Sequence, residues 1–536
     1  MLKPLSLLFV VLYATSAVLA QQQTDGDPAE GIHQINQFLQ TRWSDQQITP
    51  AADCTDESFV RRLHLDLVGR IPTVQELQTF LQDGRPDKRQ QLIRHLLQSE
   101  DYVQHFADNL DTLLMGRGSS RVYQQRQQNN WRAWLESVIR DNRAWDDCVR
   151  TILLARPQSE TDRGAVWFLY ERKDNYQKIA EELAPAFFGI RIECAQCHDH
   201  MVASEIEQRH YWGLVAFFNR GKNASTDNGL RIQESAIGGF SEFANLEGDS
   251  SPNLLTFFQS ATVPEERPES TDKQKDSDDF YTASLIDGEP RIPKFSRRES
   301  FVNQIAADHP LIARAFVNRI WALLTGRGIV HPFDEMDSAH PPSHPELLDW
   351  LAQDFRSSGY NIRRLVRLIV SSRVYQLDSS RPAGLNDPAT FAWGLEKPLT
   401  AEQLARSASL ALRGTGDSAA ALLEPFRQIF PDLLPETVTT GVDDALFLSN
   451  NTAFTNYISE SRAPNHLLTQ IQALPNVNEQ ASLAFLTVFG RVPTPEEVQR
   501  LQTYLNSAAA DADSLSIRWE QVLWAMLTSA EFRFNH

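Results

Sequence analysis

Cysteine is scarce in this chain, with four in 536 residues. Two of them standing one helical turn apart beside a histidine is therefore too specific an arrangement for background. Basic residues are also in short supply, 51 against 69 acidic, for a formal charge of −18. A nucleic acid or an anionic membrane surface would be repelled unless a local basic patch compensated, so no nucleic-acid partner is expected. The closest approach to such a patch is Arg363, Arg364, Arg367 and Arg373, whose helical spacing reads as one solvated face. Beyond the N-terminus no apolar run approaches the roughly 18 residues needed to span a bilayer. Alternating β-branched runs are scarce too, whereas Trp, Leu and charged residues recur at helical spacing, which predicts a mainly α protein. Nucleophile elbow, P-loop and dinucleotide fingerprint are all missing, so no reaction follows from a catalytic motif.

Residues 1–20 have the character of a secretory signal. Lys3 supplies a weak positive region, residues 5–13 an apolar stretch, and Val18-Leu19-Ala20 a small-residue cleavage site before Gln21. The expectation is an exported protein, periplasmic or extracellular, with no transmembrane segment after signal removal. An oxidising compartment permits disulfides, so Cys54 and Cys148 are a possible pair, with connectivity left open. The length implies more than one core. Residues 221–292 are rich in Asn, Gly, Ser, Pro and acidic side chains and read as an acidic, loop-rich linker with a short strand near residues 230–232. The linker separates a helical domain at 28–220 from a second at 293–536.

The two ends of the chain resemble each other. Gly69-Arg-Ile-Pro-Thr-Val-Gln-Glu76 aligns with Gly490-Arg-Val-Pro-Thr-Pro-Glu-Glu497. In each, the threonine and the glutamate three residues on form a capping box, and Pro495 takes the first helical position. A second signature follows each copy: Leu96-Leu-Gln-Ser-Glu-Asp-Tyr102 and Met526-Leu-Thr-Ser-Ala-Glu-Phe532, with a third version at Leu368-Ile-Val-Ser-Ser-Arg-Val-Tyr375. The pattern predicts a reused helical hairpin closed by an aromatic residue. Arg70 and Arg491, just before their caps, read as packing or pairing residues rather than ligand sites.

The chemistry-bearing segment is Cys194-Ala-Gln-Cys197-His198-Asp-His200. It has the C-x-x-C-H spacing through which haem c is attached, with Cys194 and Cys197 as thioether carriers and His198 as axial iron ligand. The sixth ligand is open among His200, His210, Met336, His340 and His344. A mononuclear zinc or iron site would instead use Cys194, Cys197, His200 and His210. The third possibility is a C-x-x-C disulfide staple with no cofactor. Residues 179–192 read as a helix that delivers Cys194 to a rigid base, and His210-Tyr-Trp-Gly-Leu-Val-Ala-Phe-Phe218 as an apolar wall. In the C-terminal half, His331, Asp334, Asp337, His340 and His344 could gather around a metal or act as acid and base, whereas Ser343 and Glu346 read as a further capping box.

The stretch Phe187-Phe-Gly-Ile-Arg-Ile-Glu-Cys-Ala-Gln-Cys-His-Asp-His200, with Tyr211-Trp212 and Ala216-Phe-Phe218, resembles the planctomycete cytochrome-associated domain of the PSCyt type. His309-Pro310, Asn318-Arg-Ile-Trp321, Gly326-Arg-Gly328, Pro341-Pro-Ser-His-Pro-Glu-Leu-Leu-Asp-Trp350 and Ser529-Ala-Glu-Phe-Arg-Phe-Asn-His536 resemble its companion, the PSD-type domain. The resemblance implies large exported proteins of unknown function. Many relatives carry a separate cytochrome c domain ahead of the pair, and this chain lacks one, so electrons would come from a separate cytochrome c or the chain has no electron-transfer role. Relatives commonly continue the motif with His-Pro, where this chain has His200-Met201. The leading expectation is a haem-c-like or metal centre in redox or electron-transfer service. The alternatives are a structural or interaction protein with a disulfide staple, and a metal-dependent hydrolase acting on extracellular polymer.

Overall fold

The computed structural model describes residues 28–269, 274–282, 288–416, 419–430, 433–434, 447–448, 451–459, 463–506 and 512–536. The expected signal at 1–20 lies outside these. Helices make up 58 % of the structure, which establishes the mainly α class. Among the described residues no helix is long and apolar enough to cross a membrane. The described residues form two compact units, each drawn from three stretches: within Met1–Phe38, Leu110–Ala322 and Gly328–Leu368 for the first, and within Leu39–Asn109, Leu323–Arg327 and Ile369–His536 for the second.

The core of the first unit is a run of aromatic contacts. Trp131 stacks on Trp134 and touches Phe168; Phe168 meets Phe187, which meets Trp145; Trp145 stacks on Phe316 at 4.2 Å. The next residue, Phe188, belongs to a separate cluster with Phe257, Phe301 and His309. Consecutive phenylalanines thus anchor one short segment in two places, and truncating either would cost about 3–5 kcal/mol. Residues 221–292 carry short antiparallel pairs, including Gly221–Thr226 with Gly229–Glu234 and Glu242–Ala244 with Ser250–Pro252. Leu255, Phe257, Phe258 and Val263 of the same stretch are buried.

The arginines expected to form one solvated face do not. Arg364 is 8 % exposed and grips Asp354 with two hydrogen bonds, and Arg363 donates to the carbonyls of Ile139 and Arg140. Periodicity cannot distinguish a solvated basic face from one facing carboxylates and helix-end carbonyls. Cys54 and Cys148 are both free and buried, each in a different unit, and burial pushes the Cys148 thiol well above its ordinary range.

The second unit contains the repeat, and its copies agree bond for bond. Gly69 closes the helix Asp56–Val68 in the left-handed region, φ 69°. A Cβ there would fall 2.4 Å from the His105 ring, so glycine is required by both space and conformation. In the first copy Thr73 N–H donates to Glu76 at 2.7 Å and Thr73 Oγ1 accepts from Glu76 N–H at 3.1 Å; in the second, Thr494 and Glu497 do the same at 2.7 and 3.2 Å. Arg70 binds Glu76 with two arms and also Asp101, and Arg491 binds Glu497 with two arms and also Glu531. The acid that each arginine reaches is the residue before the closing aromatic, Tyr102 or Phe532. The second signature recurs as well: Ser99, Ser372 and Ser529 each donate to the carbonyl three residues back. The third aromatic, Tyr375, donates its hydroxyl to the buried Asp66, which also accepts from Lys397 and Asn535. These arginines are pairing residues, as their place before the caps implied.

Burial alone would raise the Glu76 carboxyl, but the hydrogen bonds and charge of Arg70 outweigh it and hold the group at about 2. Arg491 likewise holds Glu497 at about 2. A carboxyl whose folded value is depressed adds stability that is present above its unfolded value near 4.5 and lost as pH falls toward 2. Thermal melts between pH 6 and 2 should therefore show stability declining through that window. Arg70→Ala and Arg491→Ala should each cost about 1 kcal/mol at pH 7 and make the decline shallower; an unchanged slope would show that the carboxylates are not held by these arginines.

Candidate functional site at the Cys194 loop

The helix Tyr176–Leu183 starts on Asn175, whose side chain accepts from Lys178 N–H at 3.0 Å. It widens into a π-turn at Ala184–Phe188 and stops at Gly189, φ 65°. The helix expected over 179–192 thus ends early, because Pro185 lacks the amide that would continue the ladder. Ile190 and Ile192 continue as buried chain. Arg319 reaches the carbonyls of this turn, donating to Ala186 O at 2.7 Å and to Pro185 O, which also accepts from Gly189 N–H. Arg319 is 5 % exposed. Burial lowers its pKa to about 10, so the guanidinium stays charged at neutral pH.

The motif follows on a 3-10 turn, Glu193–Gln196. Ala195 is fully buried, while Cys194 and Cys197 are exposed and free. The loop is fixed from behind by the helix Gln208–Phe218: the Gln196 carbonyl accepts from Gln208 Nε2 and Trp212 Nε1, and Asp199 Oδ1 accepts from Gln208 N–H at 2.7 Å. The Trp212 ring lies nearly parallel to Phe243, 6.4 Å away. Met201 and Val202, just past the motif, are exposed at 81 % and 65 %.

The three local histidines differ in their hydrogen bonds. His198 Nδ1 lies 2.7 Å from the Asp199 carbonyl; a carbonyl only accepts, so Nδ1 carries the proton and Nε2 is the nitrogen left with a lone pair. His200 Nδ1 accepts from Ala203 N–H and His210 Nδ1 from Glu207 N–H, so in the neutral form their protons sit on Nε2. His210 is also buried, and burial lowers its pKa. Cys194, Cys197, His200 and His210 do not converge as a ligand set. Among the described residues, the group of three metal-ligating side chains whose ligand atoms lie within 4.8 Å of one another is Glu335, Asp337 and His340.

The loop bearing that group is docked on the cysteine loop. Met336 N–H donates to Gly189 O at 2.8 Å, Arg191 pairs with Asp334 at 3.2 Å and Glu335 at 3.8 Å, and Ser338 donates through N–H and Oγ to Glu205 at 2.7 and 2.8 Å. Within it His340 lies between Asp337 Oδ1 at 2.9 Å and Glu335 Oε2 at 3.1 Å. Asn318, beside Arg319, fixes the start of this loop by accepting from Val330 N–H and donating to the carbonyls of Val330 and Phe333. Gly328 leaves room for that clamp, since a Cβ there would fall 2.1 Å from Val330 O. Of the five residues expected to gather, Asp337 and His340 belong to the triad, whereas Asp334 pairs with Arg191 and His344 precedes the helix Pro345–Ser357. The capping box expected at Ser343 and Glu346 is not formed, because the helix begins one residue later than that pattern requires and Ser343 Oγ donates to Ile329 O instead. Glu335, Glu205 and Arg191 were not read from the sequence. Arg191 and Glu335 do lie within or beside the motifs, but only tertiary structure assigns their partners.

The exposure pattern makes a direct prediction for reduced, cofactor-free protein. Iodoacetamide should add two groups, at Cys194 and Cys197, under native conditions and four after unfolding, counted by intact mass and peptide mapping. Native labelling of Cys54 or Cys148, or protection of Cys194, would contradict the placement.

Residues 34–223 match the PSCyt2 family, described as a protein of unknown function (DUF1549). Residues 297–429 match the PSD1 family, likewise a protein of unknown function (DUF1553). Searches of curated proteins and of solved structures return no match. The cysteine loop falls in the first matched region, and Asn318, Arg319 and the Glu335–Asp337–His340 group in the second. The chain thus carries a PSCyt2 domain followed by a PSD1 domain, both of unknown function.

Proposed function

We propose that the Cys194–His200 loop is the attachment site of a haem-c-like centre and that the protein serves redox chemistry or electron transfer as an exported protein, with a separate cytochrome c as partner. The observation that carries this reading is the loop's chemistry. Two exposed thiols flank buried Ala195, and His198 donates Nδ1–H to a backbone carbonyl, the arrangement that leaves Nε2 as a ligand nitrogen. Cys194 and Cys197 would carry the thioethers and His198 the iron, and the bound group would supply one-electron chemistry. The chain's own contribution is rigidity: Arg319 holds the backbone before the thiols at Ala186 and Gln208 holds the Gln196 carbonyl between them.

A zinc or iron ion at Cys194, Cys197, His200 and His210 asks more of the fold. His200 and His210 would have to move a proton off Nε2 or give up their bonds to Ala203 and Glu207. The hydrolase reading has an observation of its own, the compact Glu335, Asp337 and His340 group.

Expression of the mature chain with a c-type haem maturation system separates these readings. The expected result is an added haem mass with a Soret band that survives acid-acetone extraction and is lost in Cys197→Ser. Colourless protein would overturn it. Stoichiometric zinc or iron lost in Cys197→Ser would then select the cysteine site, metal lost in His340→Ala the hydrolase reading, and a closed disulfide without metal the staple.

A further inference from the structure

The first unit contains a cavity of about 100 Å³ away from the cysteine loop, lined by residues 155–158, the strand Gly229–Glu234, residues 289–292 and Arg298. Four guanidiniums face it, Arg156, Arg231, Arg291 and Arg298, against two carboxylates, Glu234 and Glu289. In a chain of charge −18 such a concentration of arginine is unexpected. Its floor is buried: Arg298 is 1 % exposed, Glu234 2 % and Arg231 4 %. Arg291 stands at the mouth with 43 % of its side chain exposed.

The carboxylates are already committed. Glu234 accepts from Arg156 at 2.8 Å and from Ser296 Oγ at 2.7 Å and lies 3.4 Å from Arg298 Nε. Glu289 takes both arms of Arg231. Arg298 Nη2 donates to Ile232 O, but its Nη1, equally buried, has no hydrogen-bond partner. An unmet buried donor of this kind costs about 1–3 kcal/mol, and more when charged. The other acids within reach lie outside the lining and in water. Arg156 meets Glu299, which is 48 % exposed, and Arg291 meets Asp276 and Asp278, which are 42 % and 93 % exposed. Exposed pairs of this type are weak and readily exchanged.

From this geometry we infer that the cavity is a binding site for a tetrahedral oxyanion, a phosphate or sulfate group, either free or at the end of a larger molecule. Guanidiniums match such groups through paired N–H donors. Donors arriving from four separate segments suit oxygens disposed in three dimensions. The volume is that of about three water molecules, enough for the anionic group alone, so the rest of an ester would extend past Arg291 into solvent. Such a group would give Arg298 Nη1 its missing acceptor.

Thermal unfolding of the full chain tests this, with inorganic phosphate, sulfate and glycerol phosphate each titrated at constant ionic strength balanced by sodium chloride. Phosphate or sulfate should raise Tm in a saturable way, and Arg291→Gln and Arg156→Gln should each weaken the apparent affinity by about tenfold. Arg291 is exposed, so its variant reports on binding even if changes at Arg298 prevent folding. Equal stabilisation by glycerol phosphate assigns the site to the end group of an ester, and stabilisation by the inorganic ions alone assigns it to a free anion. No stabilisation beyond chloride, or identical titrations of wild type and Arg291→Gln, would overturn the inference.

Discussion

A buried guanidinium holds the candidate site in place. Arg319 projects from the helix Pro310–Thr325 onto the carbonyls of Pro185 and Ala186 in the π-turn. Without it, Ala186 O would lose this charged donor and Pro185 O would keep only Gly189 N–H, eight and nine residues before Cys194. The same turn sends Phe187 and Phe188 into different aromatic clusters. The neighbouring Asn318 clamps the opposite loop through Val330 and Phe333. Two adjacent side chains of the PSD1 region therefore help fix both loops, which gives a physical reason for the PSCyt2 and PSD1 domains to occur in one chain: the first supplies the thiols and, through Gln208 and Trp212, part of their support, and the second supplies Arg319 and Asn318.

The repeats were legible in the sequence because their chemistry is local. A threonine with a glutamate three residues later specifies its hydrogen bonds within one turn, so Thr73, Glu76, Thr494 and Glu497 could be assigned without tertiary knowledge, and the serine-to-aromatic signature is equally short-ranged. Other features depend on partners far away in sequence. That Arg364 faces Asp354 while Arg363 faces the carbonyls of Ile139 and Arg140 is invisible to periodicity. Reading 179–192 as one helix passes over Pro185, and the guanidinium that binds its carbonyl in the π-turn, Arg319, stands 134 residues later.

At the site the sequence placed the cysteines and histidines, and the hydrogen bonds now distinguish among them. His198, His200 and His210 are chemically identical as letters. In the fold one donates through Nδ1 and two accept there, so only the first presents Nε2 with its lone pair in the neutral state. The acidic loop adds what spacing could not show. Asp337 and His340 had been grouped with His331, Asp334 and His344, yet the compact set includes Glu335, while Asp334 ties the loop to Arg191 beside the cysteines. Two segments that looked like rival sites are neighbours held by Glu205, Ser338, Gly189 and Met336.

The most direct measurement of this account is hydrogen exchange on Arg319→Gln beside the parent protein. If Arg319 is the clamp, amides between residues 184 and 206 exchange at least about tenfold faster in the variant, an opening made easier by about 1.4 kcal/mol, while the capped helix Asp56–Val68 keeps its protection. Unchanged exchange across 184–206 in a folded variant would show that the cysteine loop is held by other contacts, and the central role given to Arg319 would be wrong.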